Sequence, residues 1–457
     1  MALPGRPNHQ PREPDVHADR PTRPMTAARA KALGGTVRVP GDKSISHRAL
    51  IFGALASGRT RITGLLEAED VLNTAAAVTA LGAPARRIEG GWEVLGRGVG
   101  GLAQPAGDLD FGNSGTGSRL MMGAIAGHDV TVRMTGDASL SRRPMKRVLV
   151  PLRSMGLQVM EDRETLPLTI RGTSRLVPIE YRTPVPSAQV KSAVLIAGLA
   201  AAGETTVIER EATRDHTERM LRYLGAGVRV SPRDGGVAIT VSGHAELEGR
   251  PIAVPGDPSS AAFLAAAAAM VPGSEVTVQG ILTNPTRTGF YTTLREMGGD
   301  ITFLNERDEG GEPVADIRVR HRPLKGVAVP AARAPSMIDE YPVLAMVAAT
   351  AVGETRMDGL AELKVKESDR LAATAAALTV NGVAARTEDD SLIVAGTPRV
   401  RGGGTVTTHM DHRIAMSALV LGLVADAPVA VDDVAFIATS FPEFLDLMAG
   451  LGATFIG

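Results

Sequence analysis

Several short stretches of this sequence place charged or hydroxyl side chains at the start of a strongly apolar run. "GDKSISHR" puts Lys43, Ser44 and Arg48 at such a start. An ammonium, a hydroxyl and a guanidinium together can hold a phosphate or a carboxylate. The stretch is not a Walker-type nucleotide loop, which needs glycine directly before lysine-serine. Here Asp42 intervenes between Gly41 and Lys43. "FGNSGTGSR" ends in Arg119 and carries Gly112, Gly115 and Gly117. Its spacing misses the dinucleotide fingerprint, yet its small residues allow a ligand close to the backbone. "SRRP" supplies Arg142 and Arg143, and "KVKESDR" supplies Lys364, Lys366, Glu367, Asp369 and Arg370. On a helix Lys366 and Arg370 would share a face, with Glu367 one position round. An exposed, salt-bridged helix would have the same composition. "SMIDEYP" sets Asp339 and Glu340 beside an apolar helix. A carboxylate is costly there unless partnered, so Asp339 is a better catalytic candidate than a surface acid. In "HMDHR", His409 and His412 lack the HExxH spacing and any supporting cluster. No metal is expected, and Arg413 is the functional residue of that stretch.

The elements that must carry these groups repeat. Six segments share a small, polar or proline-containing turn followed by an apolar stretch of helical length. Their turns lie near Ser44, Asn113, Ser187, Asp257, Ser336 and His409, about 70 residues apart. Between them lie amphipathic helical patterns closed by Gly82, Gly156, Gly225, Gly298, Gly382 and Gly452. Glycine just past a helix end tolerates the left-handed backbone that stops the helix. Each unit therefore reads strand, turn, apolar helix, strand, amphipathic helix, glycine, strand. Helices apolar nearly all round belong inside, amphipathic ones at the surface. Ordinary α/β alternation accounts for part of this pattern. It does not account for polar residues gathering at the buried helices' N-termini, where free N–H groups and the helix dipole favour anions.

Composition narrows the function. A chain of 457 residues suits two large domains. Its formal net charge of −1 draws it neither to nucleic acid nor to an acidic membrane surface. With 3% aromatic residues it has little material for base-stacking platforms. The longest apolar run, Ala261–Val271, is too short for the ~20 residues of a membrane span. With no cysteine, thiolate chemistry is excluded, and the composition fits a reducing cytoplasm. Residues 1–33 begin with a proline-rich, apolar-poor stretch and are expected to be a disordered tail, with Met25 a candidate true start.

Taken in order, "GDKSISHR", "GNSGTGSR", "DASLSRRPM", "SAQVKSA", "MIDEYP", "VKESDR" and "DHRIAM" resemble one family, the EPSP synthases. The resemblance covers about residues 34–456 and is nearest the bacterial class II subclass, which includes glyphosate-tolerant members. It implies an inverse α/β fold of two domains, with three βαβαββ units in each. Residues 34–43 and 255–457 would form one discontinuous domain and 44–254 the inserted one, with a "VPGD" turn at each crossing. The first turn would lead into ligand-binding residues; the second would serve as hinge and helix start.

The implied reaction moves the enolpyruvyl group of phosphoenolpyruvate to the 5-hydroxyl of shikimate 3-phosphate, releasing phosphate, with no cofactor. By resemblance Lys43, Ser44, Arg48, Ser187, Gln189, Asp339 and Lys366 match the shikimate 3-phosphate site. Ala188 matches a position that is serine in many relatives, which leaves only its backbone to bind. Lys43, Gly115, Arg143, Gln189, Arg370 and Arg413 match the phosphoenolpyruvate site. Asp339 and Glu367 match the proton-transfer carboxylates, and Lys43 joins them as a catalytic candidate. Two departures stand out. Thr439 occupies a position that is lysine in many relatives, and Gly115 one where tolerant relatives can carry alanine. Glyphosate is the expected inhibitor, and a cytoplasmic monomer the expected form. The competing readings are a UDP-N-acetylglucosamine enolpyruvyl transferase, which usually carries a loop cysteine, and a non-catalytic receptor for phosphorylated metabolites.

Overall fold

The computed structural model describes residues 22–233 and 235–457. Among them are twelve α-helices: α1 (Lys43–Leu55), α2 (Glu69–Ala80), α3 (Gly115–Ala126), α4 (Lys146–Met155), α5 (Ala188–Gly198), α6 (His216–Tyr223), α7 (Pro258–Met270), α8 (Gly289–Glu296), α9 (Tyr341–Ala348), α10 (Arg370–Val380), α11 (His412–Gly422) and α12 (Phe444–Gly450). The odd-numbered helices are the apolar segments. Every residue of α7 is buried, and α9 is buried along its whole length. The even-numbered helices are amphipathic: α4 buries Val148, Leu149, Leu152 and Met155 and exposes Lys146, Arg147 and Arg153. All six glycines expected to end them have positive φ, between 81° and 121°.

Six small sheets complete the repeat. In one unit, strand Leu109–Asp110 leads through α3 to Thr131–Thr135, then through α4 to Gln158–Val159 and Leu168–Arg171. The first two strands pair parallel; the fourth lies antiparallel between the second and third. Units spanning 180–242 and 328–395 repeat this order within one continuous stretch. The other three borrow a strand from far along the chain. Gly34–Val37 pairs with Glu275–Leu282, and Leu247–Glu248 and Ile252–Ala253 pair with Ala56–Thr63. Met25–Ala28 lies antiparallel between Val429–Val431 and Thr454–Ile456.

That last strand corrects the expectation of a disordered tail over 1–33. Residues 1–21 lie outside the described residues. From Met25 onward the chain is ordered, with Ala27 and Leu33 buried. Proline-rich composition upstream masked a short strand whose partners lie some 400 residues later. A strand this short needs only one inward side chain and a gap in a sheet.

Two apolar clusters form. One packs α1, α3 and α5 at its centre; the other packs α7, α9 and α11. In the first, α3 and α5 approach so closely that a Cβ on Gly123 would lie 2.3 Å from the Ala193 carbonyl oxygen. The chain passes between the clusters at the two "VPGD" turns, which face each other across a Gly41–Gly256 bridge. A Cβ on Gly41 would lie 1.9 Å from the Gly64 carbonyl oxygen, a backbone atom that cannot swing aside. Gly41→Ala is therefore expected to cost about 1–3 kcal/mol or more of stability. Gly450→Ala, whose Cβ meets nothing within 4 Å, should stay within about 0.5 kcal/mol. Denaturant unfolding of the two variants checks this, and equal midpoints would refute the close approach.

Candidate active site

Between the clusters lies a cleft of about 510 Å³, within the range of small-molecule sites. The starts of all six odd-numbered helices reach it: Lys43 and Ser44, Gly115 and Thr116, Ser187 to Gln189, Asp257 and Ser259, Asp339, and His412 with Arg413. Each is a place where unpaired N–H groups favour an anion. Nine Lys or Arg and six Asp or Glu residues line the cleft, although the chain as a whole carries −1. The positive charge that the whole chain lacks is concentrated here.

The α1–α3–α5 side contributes a network of cations. Lys43 is ion-paired with buried Asp70 at the start of α2. Arg143 donates to the Asn113 Oδ1 at 2.5 Å and the Ser139 hydroxyl at 3.1 Å. Across the cleft it lies 3.5 Å from Glu367. Arg119 donates to the Gln189 side-chain oxygen at 2.9 Å, and Gln189 donates onward to Thr116. Ser187 caps α5 beside Ala188. Arg48 is the exception among the expected site residues, because it does not line the cleft. Its guanidinium is buried and donates to Thr217, Ser192 and the Ser44 carbonyl, supporting the first turn of α1 from beneath.

On the α7–α9–α11 side two carboxylates are ringed by cations. Asp339 meets Arg214 at 2.7 Å, Arg370 at 3.2 Å and Lys366 at 3.4 Å, while Arg413 donates to its backbone carbonyl at 3.1 Å. Glu367 meets Arg370 at 2.5 Å. Arg370 is itself anchored by buried Asp411 at 2.8 Å. Burial alone would raise the Asp339 carboxyl, but Lys366, Arg214, Arg413 and Arg370 hold it well below the usual range. Burial likewise opposes ionisation of Glu367, and the permanent charges of Arg370, Arg143 and Lys43 overcome it, holding the carboxyl well below its usual range. Burial pushes the His412 imidazole down to about 3, so it is neutral near pH 7.

One local expectation is corrected. Lys366 and Arg370 do not share a helical face, because α10 begins only at Arg370, capped by Asp369. Lys366 has extended backbone after a 3-10 turn at Ala361–Val365. The two cations meet at Asp339 through the tertiary fold. Six charged lining residues were not singled out from the sequence: Asp70, Arg147, Glu211, Arg214, Arg287 and Glu362. An acid in the first turn of a helix, like Asp70, is ordinary by pattern. Arg214 lies in a connection with no motif around it. Thr439 is buried outside the lining and donates to the Phe436 carbonyl, so it brings no side chain to the cleft.

A family model described as EPSP synthase (3-phosphoshikimate 1-carboxyvinyltransferase) matches residues 28–448. The chain belongs to the EPSP synthase family. Relatives named 3-phosphoshikimate 1-carboxyvinyltransferase include one from Parvibaculum lavamentivorans, 62% identical over 439 residues, covering 95% of this chain and 97% of that protein. Another, from Chelativorans sp., is 59% identical over 438 residues, covering 95% and 98%. Among solved structures, EPSP synthase from Acinetobacter baumannii superposes with a TM-score of 0.85 at 43% identity, covering 95% of this chain and 99% of that one. The enolpyruvyl transferase NikO from Streptomyces tendae, at 18% identity and a TM-score of 0.75 over 95% and 99% of the two chains, shares the fold. The family's inverse α/β architecture is that of the six units described above.

The depressed Asp339 carboxyl has a consequence for acid stability. A carboxyl whose folded pKa lies below its unfolded value of about 3.9 stabilises fully above that value. The contribution is lost as pH falls through the folded pKa. The wild-type protein should therefore lose stability more steeply than Asp339→Asn below about pH 4. Denaturant titrations at stepped pH measure both slopes, and equal slopes would show that Asp339 is not held ionised by folding.

Proposed function

We propose that this protein transfers the enolpyruvyl group of phosphoenolpyruvate to the 5-hydroxyl of shikimate 3-phosphate, releasing phosphate. The observation that carries this is the pair of ionised carboxylates, Asp339 and Glu367, inside a cation-lined cleft. A simple anion receptor gains nothing from acids set against its cations. An addition–elimination reaction between two anions needs both kinds of group.

The proposed steps follow from the residues present. Lys43, Arg143, Arg370 and Arg413, with the helix starts around them, offset the mutual repulsion of the two substrates. Shikimate 3-phosphate takes Lys43, Ser44, Ser187, the Ala188 backbone, Gln189, Asp339 and Lys366, while Arg48 holds the α1 turn from below. Phosphoenolpyruvate takes Lys43, Gly115, Gln189 and the three arginines. A carboxylate accepts the proton of the 5-hydroxyl as its oxygen bonds to C2 of phosphoenolpyruvate. C3 gains a proton, giving a tetrahedral ketal. Loss of a C3 proton then expels phosphate and restores the double bond. Asp339 and Glu367 enter ionised, as bases. Substrate anions that draw Lys366, Arg370 and Arg143 toward themselves weaken the hold on these carboxylates and raise their proton affinity. That shift suits a group that must first accept a proton and then pass one on, with the Lys43 ammonium as a further donor.

We further propose that the lobes divide at 43/44 and 254/255, that substrates bind between them, and that the protein works as a cytoplasmic monomer. Phosphate release from the two substrates together, and from neither alone, tests the assignment. No release from purified protein with both present would overturn it. Asp339→Asn and Glu367→Gln should each lower kcat by about 10²–10⁴-fold, as loss of a proton-transfer group does.

Glyphosate would compete at the phosphoenolpyruvate subsite. A Cβ added to Gly115 would lie 2.9 Å from an Arg119 terminal nitrogen and 3.0 Å from one of Arg143. Those ends are flexible and can give a little, at the expense of room beside them. Gly115→Ala should thus raise the glyphosate inhibition constant more than the phosphoenolpyruvate KM. Steady-state inhibition kinetics measure both, and equal changes would contradict the crowding argument.

A further inference from the structure

The second "VPGD" turn is more than a repeat of the first, because one buried arginine joins the two. Asp42 N–H donates to the Pro255 carbonyl at 2.7 Å, and Asp257 N–H donates to the Pro40 carbonyl at 2.9 Å. Each aspartate also caps a buried helix. Asp42 accepts from Ile45 N–H at the start of α1, and Asp257 from Ser259 N–H at the start of α7. Between the two carboxylates lies Arg287, 3% exposed. One terminal nitrogen donates to Asp42 at 2.5 Å and the other to Asp257 at 3.0 Å. The second also donates to the Ser259 hydroxyl at 2.9 Å, which in turn donates to the Glu340 carboxylate. Glu340 adjoins Asp339 and lies 3.9 Å from Arg413.

Two buried carboxylates this near each other repel, and a guanidinium relieves that only by facing both. Its planar fork does so from two terminal nitrogens held a fixed distance apart, whereas a lysine ammonium would have to bring both carboxylates to one nitrogen, as Lys191 does with Glu209 and Glu218. The consequence is geometric. Lys43 and Ser44 follow directly on Asp42, and Asp339 precedes Glu340. The chain of contacts from Asp42 through Arg287 and Ser259 to Glu340 therefore links the cation-bearing start of α1 to the carboxylate-bearing start of α9. These belong to different apolar clusters, joined covalently only at the two turns.

We infer that Arg287 is a positioning residue for enolpyruvyl transfer, holding Lys43 and Ser44 in register with Asp339 across the paired "VPGD" turns. It rests on the reaction proposed above. Its side chain acts through Asp42, Asp257 and Ser259, not on the reacting atoms.

Two variants test it. Arg287→Lys keeps the charge and loses the fork. Arg287→Gln combined with Asp42→Asn removes one charge of each sign, and asparagine still caps α1. The double variant remains informative if a lone uncharged residue at 287 prevents folding. In each, kcat for phosphate release should fall about tenfold or more, as a small misplacement of reacting groups does. KM for both substrates should stay within about threefold, because the binding groups are intact. The melting temperature is read alongside. A wild-type kcat in either folded variant overturns the inference. So does a kcat loss that merely equals the loss of folded protein, which is what a purely structural role gives. The wild-type enzyme run in the same assay separates the two readings: if it releases no phosphate the reaction assignment fails, whereas an active wild type with fully active variants defeats only the role of Arg287.

Discussion

An ionised carboxylate removed from water is costly, and this molecule buries several around one cleft. Asp339 is tolerable there only because Arg214, Lys366 and Arg370 converge on it from two separate stretches of chain. The same cations would be as costly without the acids. Each sign makes the other affordable, and the result is a site whose charged groups hold one another close and in place. Such preorganisation is worth more in a shielded cleft than in water, where solvent would have to reorient during the reaction.

The fold supplies what that arrangement requires. Three buried helices on each side bring their N-termini to one gap, so the positive ends of six dipoles add to the side-chain charges. The small sheets and the amphipathic helices cover those buried helices on the outside, where α4 and its counterparts show polar faces to solvent. Ion pairs also span the gap. Arg143–Glu367, Arg214–Asp339 and Arg147–Glu362 each join residues from opposite sides. In the proposed reaction, substrate anions and these carboxylates would compete for the same guanidinium groups, which would link binding to the protonation of Asp339 and Glu367.

Much of this was legible in the chain. The repeat of about 70 residues, the apolar and amphipathic helices in alternation and the six terminating glycines all follow from side-chain periodicity over neighbouring residues. The stretches around Lys43, Gly115, Arg143, Gln189, Asp339, Glu367, Arg370 and Arg413 were recognisable by type and order, and these residues line one cleft.

Other features were decided by the tertiary structure alone. Composition read Met25–Ala28 as tail, because nothing near it in sequence shows the two strands it completes. Helical spacing paired Lys366 with Arg370, whereas the helix starts later and Asp339 unites them from 27 and 31 residues away. Asp70, Arg214 and Arg287 carry no motif, and Arg48 carries one yet sits below the floor of the cleft. Local pattern encodes periodicity and helix ends, since those depend on adjacent residues. Which acid meets which base depends on where distant segments come to rest, and for Arg287 and Asp42 the separation is 245 residues.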